Sequence, residues 1–307
     1  MSRKSRPVAP TGTPRSNVVS VAEAKQLRAS VGLARATGPS AKKIQRALQT
    51  YVEQFDFWYT AQWTTILDNY VERVVRRINP YVRRAQHGDC TPEELATALV
   101  ADWDSRNFVT AGGQALEAMA IDLGKDCEKA GAEGVDIERR PPQDPTTVHL
   151  YVVKSGAVTR NTDIVGKMKQ NLRAAARRLQ QNPGVRNVVL NYATCVGTTN
   201  STNADGVLRP SSARFWSEIT GVPENKAMAL VWSVANAAAA AITRPEVNRR
   251  ALVAQVAAYL AKPQSPTRID WEFLVKTVSE PPSSYRAEHA RRDTEARRRG
   301  DAVMAAG

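Results

Sequence analysis

The stretch His149-Leu-Tyr-Val-Val-Lys-Ser-Gly156 decides the fold. Residues 148–153 form a β-type run, and Ser155-Gly156 closes it as a turn. Upstream, Val135-Asp-Ile-Glu138 is a second short β-type run. The polar residues 139–147 separate the two, and Pro141, Pro142 and Pro145 predict a hairpin-like turn there. Downstream, residues 163–181 carry Ile164, Met168, Leu172, Ala175 and Leu179 at helical spacing. Lys167, Lys169, Arg173, Arg177 and Arg178 make the basic face of that helix. Residues 185–192 read as a third strand. Strand, strand, helix, strand predicts a mixed α/β (α+β) core.

Outside this core the chain reads mainly as helix. Residues 1–40, rich in Pro, Ser, Arg and Gly, are expected to be a basic flexible arm, either a frayed terminus or a tail for phosphate. Residues 41–105 form a helical region. Within it, Ile44, Leu48, Tyr51, Val52, Phe55, Trp58 and Tyr59 recur at three- and four-residue steps, and Ile66, Tyr70, Val74 and Ile78 continue the series. Pro80 interrupts or ends this series. Its aromatic cluster, with Phe57 and Trp63, suits packing better than base stacking. Arg73, Arg76, Arg77, Arg83 and Arg84 make a basic run on another face. Thr91-Pro-Glu-Glu94 has the residues of a capping box opening a further helix, and the pattern changes at Gly112 before a helix at 114–123. The α/β core is placed at 106–240, and a helical C-terminal region with a basic tail at 241–307.

The 307 residues carry 43 Lys and Arg against 30 Asp and Glu, a net charge of +13. Charge on this scale points to a polyanionic partner, with nucleic acid ahead of a membrane surface. No apolar run approaches the ~20 residues that span a bilayer, and no apolar segment follows the basic N-terminus, so a cytoplasmic protein is expected. Cys90, Cys127 and Cys195 are far apart and lack CxxC spacing, which argues against zinc and against a disulfide framework. The histidines His87, His149 and His289 stand alone in the sequence, and Gly112-Gly113 lacks the lysine of a phosphate-cradling loop.

Phosphodiester cleavage needs divalent metal held by oxygen ligands, a positioned water and a cation near the attacked phosphate. The core supplies candidates in order. Glu117 is on a helix, Asp136 on the first strand, and Lys154 ends the second, 18 positions later. Asp136 and Glu138, two apart on a strand, share a face and suit one metal site. Ser155, Asn161, Lys167, Lys169 and Arg173 follow as candidate DNA contacts, with backbone N–H groups of the turn.

Val152-Val-Lys-Ser-Gly156, with Asn161 and the basic helix, resembles the lysine motif of PmeII-type restriction endonucleases, a branch of the PD-(D/E)xK nuclease superfamily. Val188-Val-Leu-Asn-Tyr192, Cys195-Val-Gly197 and Phe215-Trp-Ser-Glu-Ile-Thr-Gly221 resemble that family's next strand, turn and Phe-Trp block. The likeness covers residues 112–221. It implies a restriction-endonuclease-like central mixed sheet flanked by helices, and Mg²⁺-dependent cleavage of double-stranded DNA at a short site. It also implies a homodimer. A DNA methyltransferase gene is expected as neighbour, since an active enzyme needs its host's sites protected. On this likeness Asp136 is the first-strand metal acid, Lys154 the catalytic lysine and Glu117 the helix acid. One position departs: Val152 stands where the superfamily has Asp or Glu. Either the second acid has migrated, to Glu138 or Glu117, or the site is degenerate. The alternatives are a non-catalytic basic nucleic-acid-binding protein that keeps the fold, and an all-helical structural protein.

Overall fold

The computed structural model describes residues 20–34, 37–156, 162–198, 201–202, 205–242 and 245–306. In chain order come α1 (Val21–Ser30), α2 (Ala41–Phe55), a π-type turn (Asp56–Thr60), α3 (Ala61–Arg73), a 3-10 turn (Val75–Arg77), α4 (Pro80–His87) and α5 (Pro92–Leu123). Next are β1 (Cys127–Lys129), β2 (Ile137–Arg139), β3 (Thr147–Lys154), α6 (Thr162–Leu179), β4 (Asn187–Thr194), β5 (Ser201–Thr202) and β6 (Leu208–Arg209). The chain closes with α7 (Ser212–Thr220), α8 (Glu224–Ala239), α9 (Glu246–Leu260), β7 (Ala261–Lys262), β8 (Ser265–Ile269), α10 (Trp271–Ser279) and α11 (Arg286–Ala306). Contacts divide the chain into two units, Met1–Phe57 with Ala111–Ile242, and Trp58–Thr110 with Thr243–Gly307.

The first unit is a six-stranded mixed sheet in the order β1-β2-β3-β4-β6-β5. β2 and β3 are antiparallel, with Ile137 opposite Tyr151 and Glu138 opposite Leu150. β3 and β4 are parallel, Val152 beside Tyr192 and Lys154 beside Thr194, which requires the crossover that α6 supplies. The β2–β3 turn is held by Asp144, whose carboxylate accepts hydrogen bonds from the Thr146 N–H and the Thr147 hydroxyl. On one face Tyr151, Val153, Ala193 and Cys195 pack with residues of α2, α5, α7 and α8. On the other, Val148, Leu150, Val152 and Tyr192 meet Met168, Leu172 and Ala175 of α6. Burial on both faces explains why Leu150–Val153 of β3 run apolar rather than alternating.

Several boundaries differ from the sequence expectation. The helical series over 42–82 is broken by the π-type and 3-10 turns, and Pro80 stands at an interruption, as the first residue of α4. Asn79 caps that start by accepting from the N–H groups of Tyr81 and Val82. The expected change at Gly112 does not interrupt the backbone. α5 runs unbroken for 32 residues from the Thr91–Glu94 capping box. The first half of 1–40 lies outside the described residues apart from Ser20, which caps α1, where Ala24 is buried.

The second unit packs around its own aromatic core. Trp63 meets Trp103 edge to face, and the Tyr59 hydroxyl donates to Asp104 at 2.7 Å. Arg292 is buried against Asp270 and Glu288, with its guanidinium 3.9 Å above the Phe273 ring.

Candidate active site at the end of strand three

Lys154 is the last residue of β3 and is half-buried. Its carbonyl accepts the Cys195 N–H at 2.8 Å, so β4 fixes the backbone beneath it. Asp136 sits just ahead of β2, where the β2–β3 ladder ends. Its N–H donates to the Tyr151 carbonyl at 2.8 Å, and its Oδ2 accepts the Val153 N–H at 2.8 Å. A carboxylate is thereby pinned against the backbone of the residue preceding Lys154. Among the described residues, no carboxylate stands within ion-pair distance of the Lys154 ammonium.

Glu117 approaches from α5, over the opposite side of the strand end from α6. One turn before it, Gly113 faces Ser155; a Cβ on Gly113 would come within 3.3 Å of the Ser155 hydroxyl. The glycine lets helix and turn approach closely. Glu117 is 9% exposed, with its Oε1 3.8 Å from Lys129 Nζ. Burial, and secondarily the Glu117 charge, push the Cys195 thiol up to about 12. Ser155 and Cys195 thus place Glu117 near the ends of β3 and β4, on the α5 side of the sheet.

Glu138 is placed differently. It pairs in register with Leu150, four positions before Lys154, or about 13 Å along the strand. Its Oε1 is held by the Arg140 Nε and terminal nitrogen at 3.0 and 2.7 Å. Leu150 belongs to the α6-side core, whereas Ile137, the neighbour of Glu138, packs on the α5 side. Glu117 and Glu138 therefore lie towards opposite faces of the sheet, and alternation from Val152 turns Lys154 to the α6 side with Glu138. Among the described residues no three His, Cys, Asp or Glu side chains gather as a metal site. Among the described residues one Asp136 carboxylate oxygen has no bond, and Asp136 and Glu117 are each the kind of hard oxygen donor that a small divalent cation takes alongside water and phosphate.

Val152 is 2% exposed and lies in the α6-side core. The position where an acid was expected is a dry packing position. The candidate DNA contacts divide. Lys169 Nζ and an Arg173 terminal nitrogen both reach Asp205 Oδ2, at 2.8 and 3.3 Å. Lys169 beside it holds the Asp205 carboxyl below its ordinary value. Lys167 reaches Gln170 at 3.5 Å, and Asn161 lies outside the described residues. Asp205 is the residue sequence reasoning missed. Its one signal was membership of the polar loop between β4 and α7.

Other candidates resolve as packing. Phe215 and Trp216 are fully buried, and the Trp216 indole donates to the Cys195 carbonyl at 3.1 Å. Arg76 binds the carbonyls of Thr277 and Glu280, Arg73 pairs with Gln62, Arg83 pairs with Asp102, and Arg84 stacks on Trp271. His149 lies on the α5-side face of β3, near-parallel to Tyr151, and burial lowers its pKa. No helix among the described residues is long and apolar enough to cross a membrane.

The family model of the type II restriction endonuclease EcoO109I matches residues 42–238, which take in the whole sheet and both acids of the strand end. None of the curated proteins compared with the chain matches it.

Proposed function

The chain belongs to the EcoO109I family of type II restriction endonucleases, which are site-specific deoxyribonucleases, and from that premise we propose that it cuts duplex DNA through the Lys154 end of β3. The observation that carries this reading is the bond from the Val153 N–H to Asp136, which holds a carboxylate at the strand end where Lys154 has no ion pair among the described residues. The substrate is double-stranded DNA with a short specific site, and the cofactor is Mg²⁺. When bound, Mg²⁺ would polarise the phosphate and make its bound water more acidic.

Asp136 and Glu117 would hold the metal. Glu117 is preferred to Glu138 for its place along the strand, since α5 brings it to the strand end from the far face, whereas Glu138 shares the face of Lys154 but is set back by register and paired with Arg140. Lys154 would lie against the attacked phosphate, offset the charge that builds there, and help orient the attacking water. Ser155, Asn161, Lys167, Lys169 and Arg173 would bind flanking phosphates. Asp205 occupies two of these cations in the free protein, so DNA would exchange one anion for another. The lysine turn and Phe-Trp block support a place near the PmeII-type branch. Two strands require two sites, which supports a homodimer. Such an enzyme works in the cytoplasm beside a methyltransferase that protects the host's DNA.

The test is cleavage by single variants. Lys154→Ala and Asp136→Ala should each slow cutting by about 10²–10³-fold, the scale for loss of a group stabilising transition-state charge. Variants that cut as fast as the parent would remove the site from the reaction.

A further inference from the structure

We infer that the outer face of α8 is the seam through which two copies of this chain associate, with Trp232 as its anchor. This rests on the reading above only for its need of two sites. Trp232 is 70% exposed, on a helix whose opposite side carries the fully buried Ala227, Leu230, Val234 and Ala238. A large aromatic ring left in water on an ordered helix is a marker of an interface. Asn225, Ala229, Trp232, Asn236 and Ala240 are all exposed and recur at steps of four, three, four and four, so they form one stripe. Below the stripe lies a groove of about 540 Å³ between α1 and the end of α8, formed by Gln26, Leu27 and Ser30 against Ala237, Ala240 and Ala241. Glu23 at its margin is tied into the α1 capping box.

The occupant follows from charge and symmetry. Residues 227–242 contain no Asp, Glu, Lys or Arg, in a chain whose net charge is +13. Two such chains repel over most of their surfaces, and this face brings no charge against itself. The stripe is also self-complementary. Trp232 and Ala240 flank Asn236 by four residues each, about 6 Å along the axis on either side. Antiparallel packing of two α8 helices about a two-fold axis at Asn236 sets each Trp232 over Ala240 of the other copy, at the mouth of its groove. The short side chains of Asn236 and Ala240 let the helices approach near the axis, and the two contacts are identical, as an isologous interface requires.

The experiment uses the full chain in sedimentation velocity at micromolar concentration, with far-UV circular dichroism to confirm folding. The wild type should sediment as a dimer. Trp232→Ala should weaken association at least about 100-fold, the loss typical of a central aromatic anchor, and Ala240→Arg should do the same by blocking the groove. Asn236→Cys should form a covalent dimer on mild oxidation, because the two copies of that position meet on the axis. A monomeric wild type would overturn the inference. So would a dimer unmoved by both substitutions, or Asn236→Cys that does not cross-link. A dimer sealed at α8 that cuts no DNA would sink the nuclease reading and leave the seam standing. A nuclease that dimerises elsewhere would do the reverse.

Discussion

At position 152 a carboxylate would be buried in the apolar cluster with Leu150, Tyr192 and Met168. Burying such a charge is costly, and the group would take up a proton or unfold the strand. Val152→Asp should therefore lower stability by several kcal/mol and restore nothing; a folded variant that cuts faster would show the position faces the metal after all. The same reasoning ranks the two glutamates. Glu117→Gln should cost about 10²-fold in cleavage at little change in thermal stability, whereas Glu138→Gln should cut within a few-fold of the parent. Matched kinetics of the two variants decide this, and the reverse ranking would return the second acid to β2. Asp205→Asn should tighten DNA binding several-fold at fixed salt, since Lys169 and Arg173 no longer begin paired; unchanged affinity in a titration would mean that α6 does not meet phosphate. The places of Lys154 at a strand end and of Asp136 next to the neighbouring strand were legible from the apolar runs. The choice between Glu117 and Glu138 was not, because it depends on which sheet face α5 covers and on the Gly113–Ser155 approach.

At the level of elements, β3, β4 and α6 were readable because each carries a long apolar pattern. β1, β5, β6, β7 and β8 were not, since strands of two to five residues give no period to detect. Residues 185–192 were read as strand, but β4 runs Asn187–Thr194: Val185 is buried ahead of the ladder, and the N–H groups of Arg186 and Asn187 bond to the Thr146 carbonyl instead. Gly112-Gly113 looked like a break and is a contact. Gly112 faces Phe55 and Gly113 faces Ser155, and a helix tolerates both at a cost that packing offsets. α7 ties the sheet to its helices through Trp216, which is fully buried and hydrogen-bonded to the Cys195 carbonyl. Trp216→Ala should cost about 3–5 kcal/mol, measured by denaturant unfolding; a loss under about 1 kcal/mol would mean that α7 contributes little to the core.

Across the whole molecule, the excess of positive charge is less free than composition suggests. Arg292, Arg297, Arg298 and Arg299 of α11 all pair with acids, and so do Arg76 and Arg83. Much of the basic surface thus serves folding, which sequence counting cannot separate from nucleic-acid binding. The remainder should still give DNA affinity that falls steeply with salt, as counterions are released from each neutralised phosphate; a salt-independent affinity in a binding titration would argue against a phosphate-tracking surface. Six strands also exclude the all-helical alternative. The central claim concerns Lys154 and Asp136 acting on duplex DNA, and one measurement meets it head-on. Purified chain is incubated with Mg²⁺ and a diverse duplex library, in parallel with Lys154→Ala. The expected result is discrete double-strand breaks at one short sequence from the wild type, and cutting slower by about 10²-fold or more from the variant. A library left uncut by the wild type, with tight salt-dependent binding intact, would contradict the account and leave a DNA-binding protein built on a nuclease fold.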